Sequence, residues 1–104
     1  ARQPQQASTL TSVPVMPQRN LVIVNQLGLH ARAAARFVKV AQRYDSTISV
    51  STAQKQVDGK SIMSVMLLAA GNGCELTLTA EGADAEDALT AISELVADKF
   101  GEGQ

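Results

Sequence analysis

The chain holds one cysteine, one histidine, three aromatic side chains and no tryptophan among its 104 residues. A lone cysteine closes no internal disulfide, and a single histidine gives no cluster of soft metal ligands. Three aromatics provide no row of stacking platforms for bases. Charge of one sign is missing too: nine basic against ten acidic residues leave a net charge of −1. That balance excludes a bulk electrostatic grip on nucleic acid or anionic membrane. No apolar run approaches the roughly 20 residues that span a bilayer. The N-terminal "ARQPQQASTLTSVPVMPQ" has no apolar signal core either. These absences point to a cytosolic protein without membrane insertion, nucleic-acid partner or metal site.

What is present suits a single small domain: 45% of residues are hydrophobic and 18% charged, enough for one core of marginal stability. Residues 1–18, rich in Gln, Ser, Thr and Pro, read as a flexible tail or linker, and residues 19–104 as the domain. "RNLVIVN" is a β-branched strand, and Ala34, Phe37, Val38 and Ala41 mark a helix over Ala31 to Tyr44. In "STISVST", Ile48 and Val50 alternate with Thr47, Ser49 and Ser51, a half-buried strand. A short strand around Gln56 and Val57 ends in the Asp58-Gly59 turn. "SIMSVMLLAA" is about ten residues of helical character closed by "GNG". In "CELTLTA", Leu76 and Leu78 share one face and Cys74 reads as a small buried residue.

The last segment, "EGADAEDALTAISELVADKFGEG", reads as a helix N-capped by Asp84, with Glu86 and Asp87 at its positive end. Ala85, Ala88, Leu89, Ile92, Val96 and Phe100 form its buried stripe, and Gly101 supplies the stop. The order is βαββαβα, and the natural solution is α+β: a sheet covered by helices on one face.

The stretch with chemistry is "NQLGLHARAAARF", residues 25–37. A helix start exposes up to four unpaired N–H groups and about half a unit of positive charge. Gly28, Leu29, His30 and Ala31 provide no strong cap, so the first-turn donors, Ala31 N–H among them, form an anion site with an imidazole beside it and Arg32 next. The dipole favours a neutral, nucleophilic ring. A phosphoryl group on it would be held by the free N–H groups and the Arg32 fork. Two readings stay open: phosphoryl transfer through His30, or a histidine that itself caps the helix beside a solvated arginine.

Three further features carry the same kind of choice. "SIMSVMLLAA" is apolar nearly all round; with Ile62, Val65, Met66 and Ala69 towards the core, Met63 and Leu67 point outwards as a docking surface. Burial of this helix by the tail or a self-contact is the alternative. Ser61 is a strong N-cap, and a phosphate there would be received by the dipole while adding charge beside the patch. Arg32, Arg36, Lys39 and Arg43 form a basic stripe that could meet an acidic partner, although Lys39 and Arg43 fit a solvated face.

"GLHARAAARFV", then "GKSIMSVMLLAAG", then "GADAEDAL" together resemble the phosphocarrier protein HPr family of the phosphoenolpyruvate-dependent phosphotransferase system, over about residues 19 to 102. The resemblance implies an open-faced β-sandwich, βαββαβα, four antiparallel strands covered by three helices. It implies that the His30 δ1 nitrogen takes a phosphoryl group from phosphorylated enzyme I and passes it to an enzyme IIA-type acceptor. Arg32 matches the arginine that steadies the phosphohistidine, and Ser61 the serine modified by HPr kinase/phosphorylase. Ile62, Met63 and Met66 match the docking patch, with Arg36 as a further partner-binding residue. The implied protein is a monomeric carrier with no cofactor, a phosphorylated intermediate and not a stand-alone catalyst.

One position departs from the pattern. The proline of the family's "HARPA" is Ala33 here, which should loosen the site slightly without abolishing transfer. With it, the motifs look more like the nitrogen-related branch and its proteobacterial relatives than the sugar-transport form. Alternatives are a regulatory HPr-like binding module working through Ser61, an HPr domain of a multidomain phosphotransferase, and, more distantly, a nucleic-acid-binding α+β module.

Overall fold

The alternation of apolar and hydroxyl residues that marks the strands becomes, in a computed structural model describing residues 17–102, one four-stranded sheet. Strands β1 (Gln18–Val22), β2 (Thr47–Ser51), β3 (Gln56–Asp58) and β4 (Glu75–Glu81) lie in the order β1-β4-β2-β3, every pair antiparallel. Helices α1 (Ala31–Ala41), α2 (Ile62–Leu67) and α3 (Ala85–Ala97) follow β1, β3 and β4, and a 3-10 turn (Lys99–Gly101) ends the described chain. The chain thus folds as the expected α+β open-faced sandwich.

Register explains which face is dry. Leu78 stands between Arg19 on β1 and Val50 on β2, and Val50 in turn faces Val57 on β3. Ile48 pairs with Ala80, and Leu21 with Leu76. These side chains meet the helices and join Phe37, Leu89, Ile92 and Phe100 in one core. The next row, Asn20, Thr77, Ser51 and Gln56, points the other way and is polar throughout. With a side-chain period of two, the Thr/Ser positions must share the uncovered face. Arg19 ends the inner row at the edge, where it pairs with Glu86 of α3 at 2.8 Å.

The expected flexible tail lies, except for its last two residues, outside the described residues. Those two belong to the sheet: Gln18 opens β1, and the Pro17 carbonyl accepts from Ala80 N–H at 3.1 Å. α1 stops at Ala41 instead of Tyr44, because Arg43 and Tyr44 turn to tighter bonds with the carbonyls three residues back. α2 is six residues long, not ten: Leu68 and Ala69 make the same tighter bonds, and Ala69 takes a left-handed φ of 51° that ends the helix. α3 likewise ends at Ala97, before Gly101, with Lys99 and Phe100 already left-handed. All six expected stripe residues of α3 are buried nonetheless.

Two side chains differ from expectation. Cys74 is half-buried just ahead of β4, not enclosed. Asp84 stands at the N-cap position of α3 but makes no cap bond. Its carboxylate accepts instead from Asp45 N–H at 2.8 Å, Ser46 N–H at 3.0 Å and the Ser46 hydroxyl. The Ser46 hydroxyl and the two amides hold its pKa below the ordinary carboxylate value. Asp84 therefore clamps the start of β2 to α3. Among the described residues no helix is long and apolar enough to cross a membrane.

Candidate functional site

The His30 loop is built by strand β1 running out of partners. Ile23 keeps the ladder going, N–H to Cys74 O at 2.9 Å. The chain then turns over Asn25–Gly28, with Gly28 N–H donating to Asn25 O at 3.3 Å. Gly28 has φ 70°, and a Cβ built there would stand 2.6 Å from Ala70 O and 2.7 Å from Gly71 Cα. Only glycine fits this close approach in a left-handed conformation. Leu29 then donates its N–H to Ala70 O at 2.8 Å and buries its side chain. The imidazole is consequently aimed by packing against the segment that follows α2.

His30 is the N-cap of α1, with an extended backbone, and its Nδ1 accepts from Arg32 N–H at 3.2 Å. Of the two readings left open at this helix start, the capping one describes the cap itself: the histidine satisfies one first-turn donor. An accepting Nδ1 carries a lone pair, so the proton of the neutral ring sits on Nε2. There it meets the Glu102 carboxylate, Oε2 at 2.5 Å.

Glu102 was invisible to sequence reasoning and is the principal addition. It arrives on the 3-10 turn, which Phe100 pins by burying its ring and which Arg36 holds by donating Nη1–H to Phe100 O. Its other oxygen, Oε1, accepts from Asn25 Nδ2 at 2.9 Å, and the same amide donates to Gly28 O at 2.9 Å. Burial pushes the Glu102 carboxyl up, but hydrogen bonds from Asn25 and His30 and the charges of His30 and Arg36 outweigh it, leaving the pKa lowered. Arg36, expected to face a partner, is therefore spent largely on the fold. Nothing in the local pattern around residue 102 signals a site; only an acidic residue after a glycine is there to be read.

His30, Arg32, Arg36, Gln26, Leu27 and Glu102 line an open cleft of about 720 Å³. Ala31 lies at its rim as the first helical residue. Arg32 is exposed, and its guanidinium has no hydrogen-bond partner among the described residues. Fork-shaped cations beside a nucleophilic ring nitrogen suit a phosphoryl or carboxylate group. Ala33 is fully buried in the first turn, where it packs without blocking the cleft. Among the described residues no group of three metal-ligating side chains exists.

Ser61 lies outside the cleft lining and caps α2, its hydroxyl accepting from Ser64 N–H at 3.3 Å. Beside it the apolar surface is wider than expected. Met63 and Leu67 are 73% and 62% exposed, but Ile62 at 43% and Met66 at 40% are also out, and Ala69 with them. Only Val65 of the helix is fully buried, since six residues give too few turns to bury a stripe. Leu27, 70% exposed, adds an apolar residue from the His30 loop.

The geometry places a single histidine, two arginines and a glutamate around one cleft of an open-faced sandwich. The family model described as the PTS HPr component phosphorylation site matches residues 17–98, and the chain belongs to that PTS-HPr family. Phosphocarrier protein HPr of Pseudomonas aeruginosa is 51% identical over 90 residues, covering 86% of this chain and all of that one. Among solved structures, HPr-C-His from Thermoanaerobacter tengcongensis superposes with a TM-score of 0.81 at 44% identity, covering 84% of this chain and 98% of that one. The HPr dimer from the same organism gives 0.67 at 41% identity, covering 89% and 100%.

Proposed function

We propose that this phosphotransferase-system protein carries a phosphoryl group on His30 Nδ1, taken from phosphorylated enzyme I and delivered to an enzyme IIA-type acceptor. The observation that carries the reading is the division of labour on one ring: Glu102 holds Nε2, so Nδ1 keeps its lone pair at the helix start beside Arg32. In the transfer step that lone pair forms the N–P bond as the donor's bond to phosphorus breaks. Arg32 N–H must leave Nδ1 as that bond forms, and this amide, Ala31 N–H and the Arg32 guanidinium are then free for the phosphoryl oxygens. The Nε2 proton stays between ring and carboxylate, so the positive charge developing on the ring is met by a negative one. On this reading the carrier works as a monomer and is consumed and regenerated in each cycle.

A second layer of the proposal concerns control. Ser61 stands directly before Ile62 and Met63, and a phosphate on it would put negative charge at the edge of an apolar docking patch. HPr kinase/phosphorylase is the enzyme that would place it. A module that regulates only through Ser61 and docking is the alternative reading. The nitrogen-related branch, with regulatory enzyme IIA proteins as acceptors, is favoured by Ala33 in place of proline.

Incubation with enzyme I and phosphoenolpyruvate tests the carrier reading. The expected product carries one acid-labile, alkali-stable phosphate that His30→Ala loses. An unmodified protein in the presence of active enzyme I overturns the reading. Arg32→Ala should slow transfer while leaving the melting temperature nearly unchanged, because the side chain is exposed and its guanidinium makes no hydrogen bond among the described residues; equal losses of both would make it a structural arginine.

A further inference from the structure

Asn25 is fully buried, yet its amide nitrogen is committed to two acceptors, Gly28 O and Glu102 Oε1, at 2.9 Å each. Both neighbours accept hydrogen bonds, so the nitrogen and not the oxygen must face them. The remaining oxygen, Oδ1, is buried without a partner. An unpaired buried carbonyl is unfavourable, and an apolar side chain of similar volume would avoid it. The asparagine is therefore explained by what its two N–H groups hold: the carbonyl two residues before His30 and the carboxylate that touches His30. Its own backbone carbonyl closes the same turn, accepting from Gly28 N–H and from Asn72 Nδ2 at 3.1 Å.

We infer that Asn25 is a positioning residue for transfer at His30, locking the Glu102 carboxylate in the plane that meets Nε2 and so leaving Nδ1 for the phosphoryl group. The inference rests on the phosphocarrier reading. Glu102 directly follows a three-residue turn with left-handed backbone at Lys99 and Phe100, and a flexible side chain there has several rotamers. Held by Asn25 at one oxygen and His30 at the other, it has one. The remaining charged groups around the carboxylate are Arg36 from α1 and, across the cleft, Arg32; neither is placed to donate to Oε1. Without the Asn25 donor the carboxylate is free to turn towards Arg36. The ring then loses both its orientation and the partner that keeps its proton on Nε2.

The test combines a measurement on the unaltered chain with a mutant cycle. In the wild type, the Asn25 side-chain amide proton resonances should shift in step with titration of the Glu102 carboxyl. Resonances that stay flat through that titration overturn the inference without any variant being made. Asn25→Ala should slow phosphorylation by the phosphorylated donor roughly tenfold, and should lower the Nε2–H tautomer signature of the His30 ring nitrogens. Asn25→Asp, close in shape, should do the same and raise the Glu102 pKa from its lowered value, since it removes the Asn25 hydrogen bond and adds a second carboxylate. Because the bond from Asn25 to the Glu102 carboxylate is lost in either single variant, adding Asn25→Ala to Glu102→Gln should slow transfer by less than adding it to the wild type, the remainder reflecting the lost bond to Gly28 O. Fully multiplied losses in the double variant refute the inference while the carrier reading stands. Failure of the wild type to take up phosphate removes the carrier reading, and the resonance shifts still decide whether Asn25 governs Glu102.

Discussion

Replacing Gly28 by alanine should be the most damaging one-carbon change in the His30 loop, and three glycines allow the cost to be dissected. At Gly28 the backbone has φ 70°, and the new Cβ would lie 2.6 Å from Ala70 O and 2.7 Å from Gly71 Cα. An L-residue in the left-handed region costs about 1–2 kcal/mol. Forcing a methyl against backbone that cannot rotate away adds about 1–3 kcal/mol. Gly73 shares the positive φ, 86°, but a Cβ there meets nothing within 4 Å, so Gly73→Ala should cost the first amount only. Gly71 has neither problem, and Gly71→Ala should be neutral or slightly stabilising by restricting the unfolded chain. Urea unfolding of the three variants reads these energies as midpoint shifts at constant slope. At about 4–8 °C per kcal/mol for a domain this small, Gly28→Ala should melt at least about 8 °C below the wild type. It should also slow phosphorylation, since the Leu29 bond to Ala70 O that aims His30 must lengthen. Equal losses for Gly28→Ala and Gly73→Ala would refute the contact with Ala70 and Gly71.

Phe100→Ala should destabilise the fold by about 3–5 kcal/mol, because the ring is fully buried; Phe100→Leu should cost less, and calorimetry of both reports the difference. Both should also slow transfer by releasing Glu102, whereas a change in stability with no change in transfer would detach the 3-10 turn from the site. Glu102 and Asp84 both have folded-state pKa values below their ordinary values. The unfolded chain therefore binds more protons in acid, and their stabilisation is complete above the ordinary carboxylate range and lost as pH falls through the lowered folded values. Melting temperatures between neutral pH and about pH 3 should fall steeply in the wild type and less so in Asp84→Asn with Glu102→Gln; parallel curves would show that neither carboxylate is responsible. Ser61→Ala should cost about 1 kcal/mol through the lost cap, whereas Ser61→Asp should keep the cap but weaken donor docking beside Ile62 and Met63. Unchanged transfer kinetics for Ser61→Asp would remove Ser61 as a control point.

The match between pattern and fold is closest where burial follows a local period. The α3 residues Ala85, Ala88, Leu89, Ile92 and Val96 are buried as their spacing dictates, and Leu76, Leu78, Ile48 and Val50 face the core as their alternation dictates; Phe100 is buried too, but from the turn beyond the helix. Ends of elements were less legible. Tighter bonds to the carbonyls of Val40 and Ala41, and of Val65 and Met66, together with a left-handed Ala69, stop helices whose composition would let them run on. The apolar character of α2 was read correctly as excess, but its short length, set by that stop, brings Ile62 and Met66 outwards along with Met63 and Leu67.

By itself the sequence determined the class of fold, the order of its elements and the placing of the lone histidine beside an arginine at a helix start. Each of these follows from residues a few positions apart, where period, turn chemistry and capping act directly. Tertiary structure alone decided what surrounds that histidine. Glu102 reaches His30 across 72 positions and Asn25 across 77, and Gly28 rests on Ala70 and Gly71 from the other side of the chain. Contacts at such separations depend on how the sheet stacks against its helices and where Phe100 finds its pocket. No local pattern records that packing.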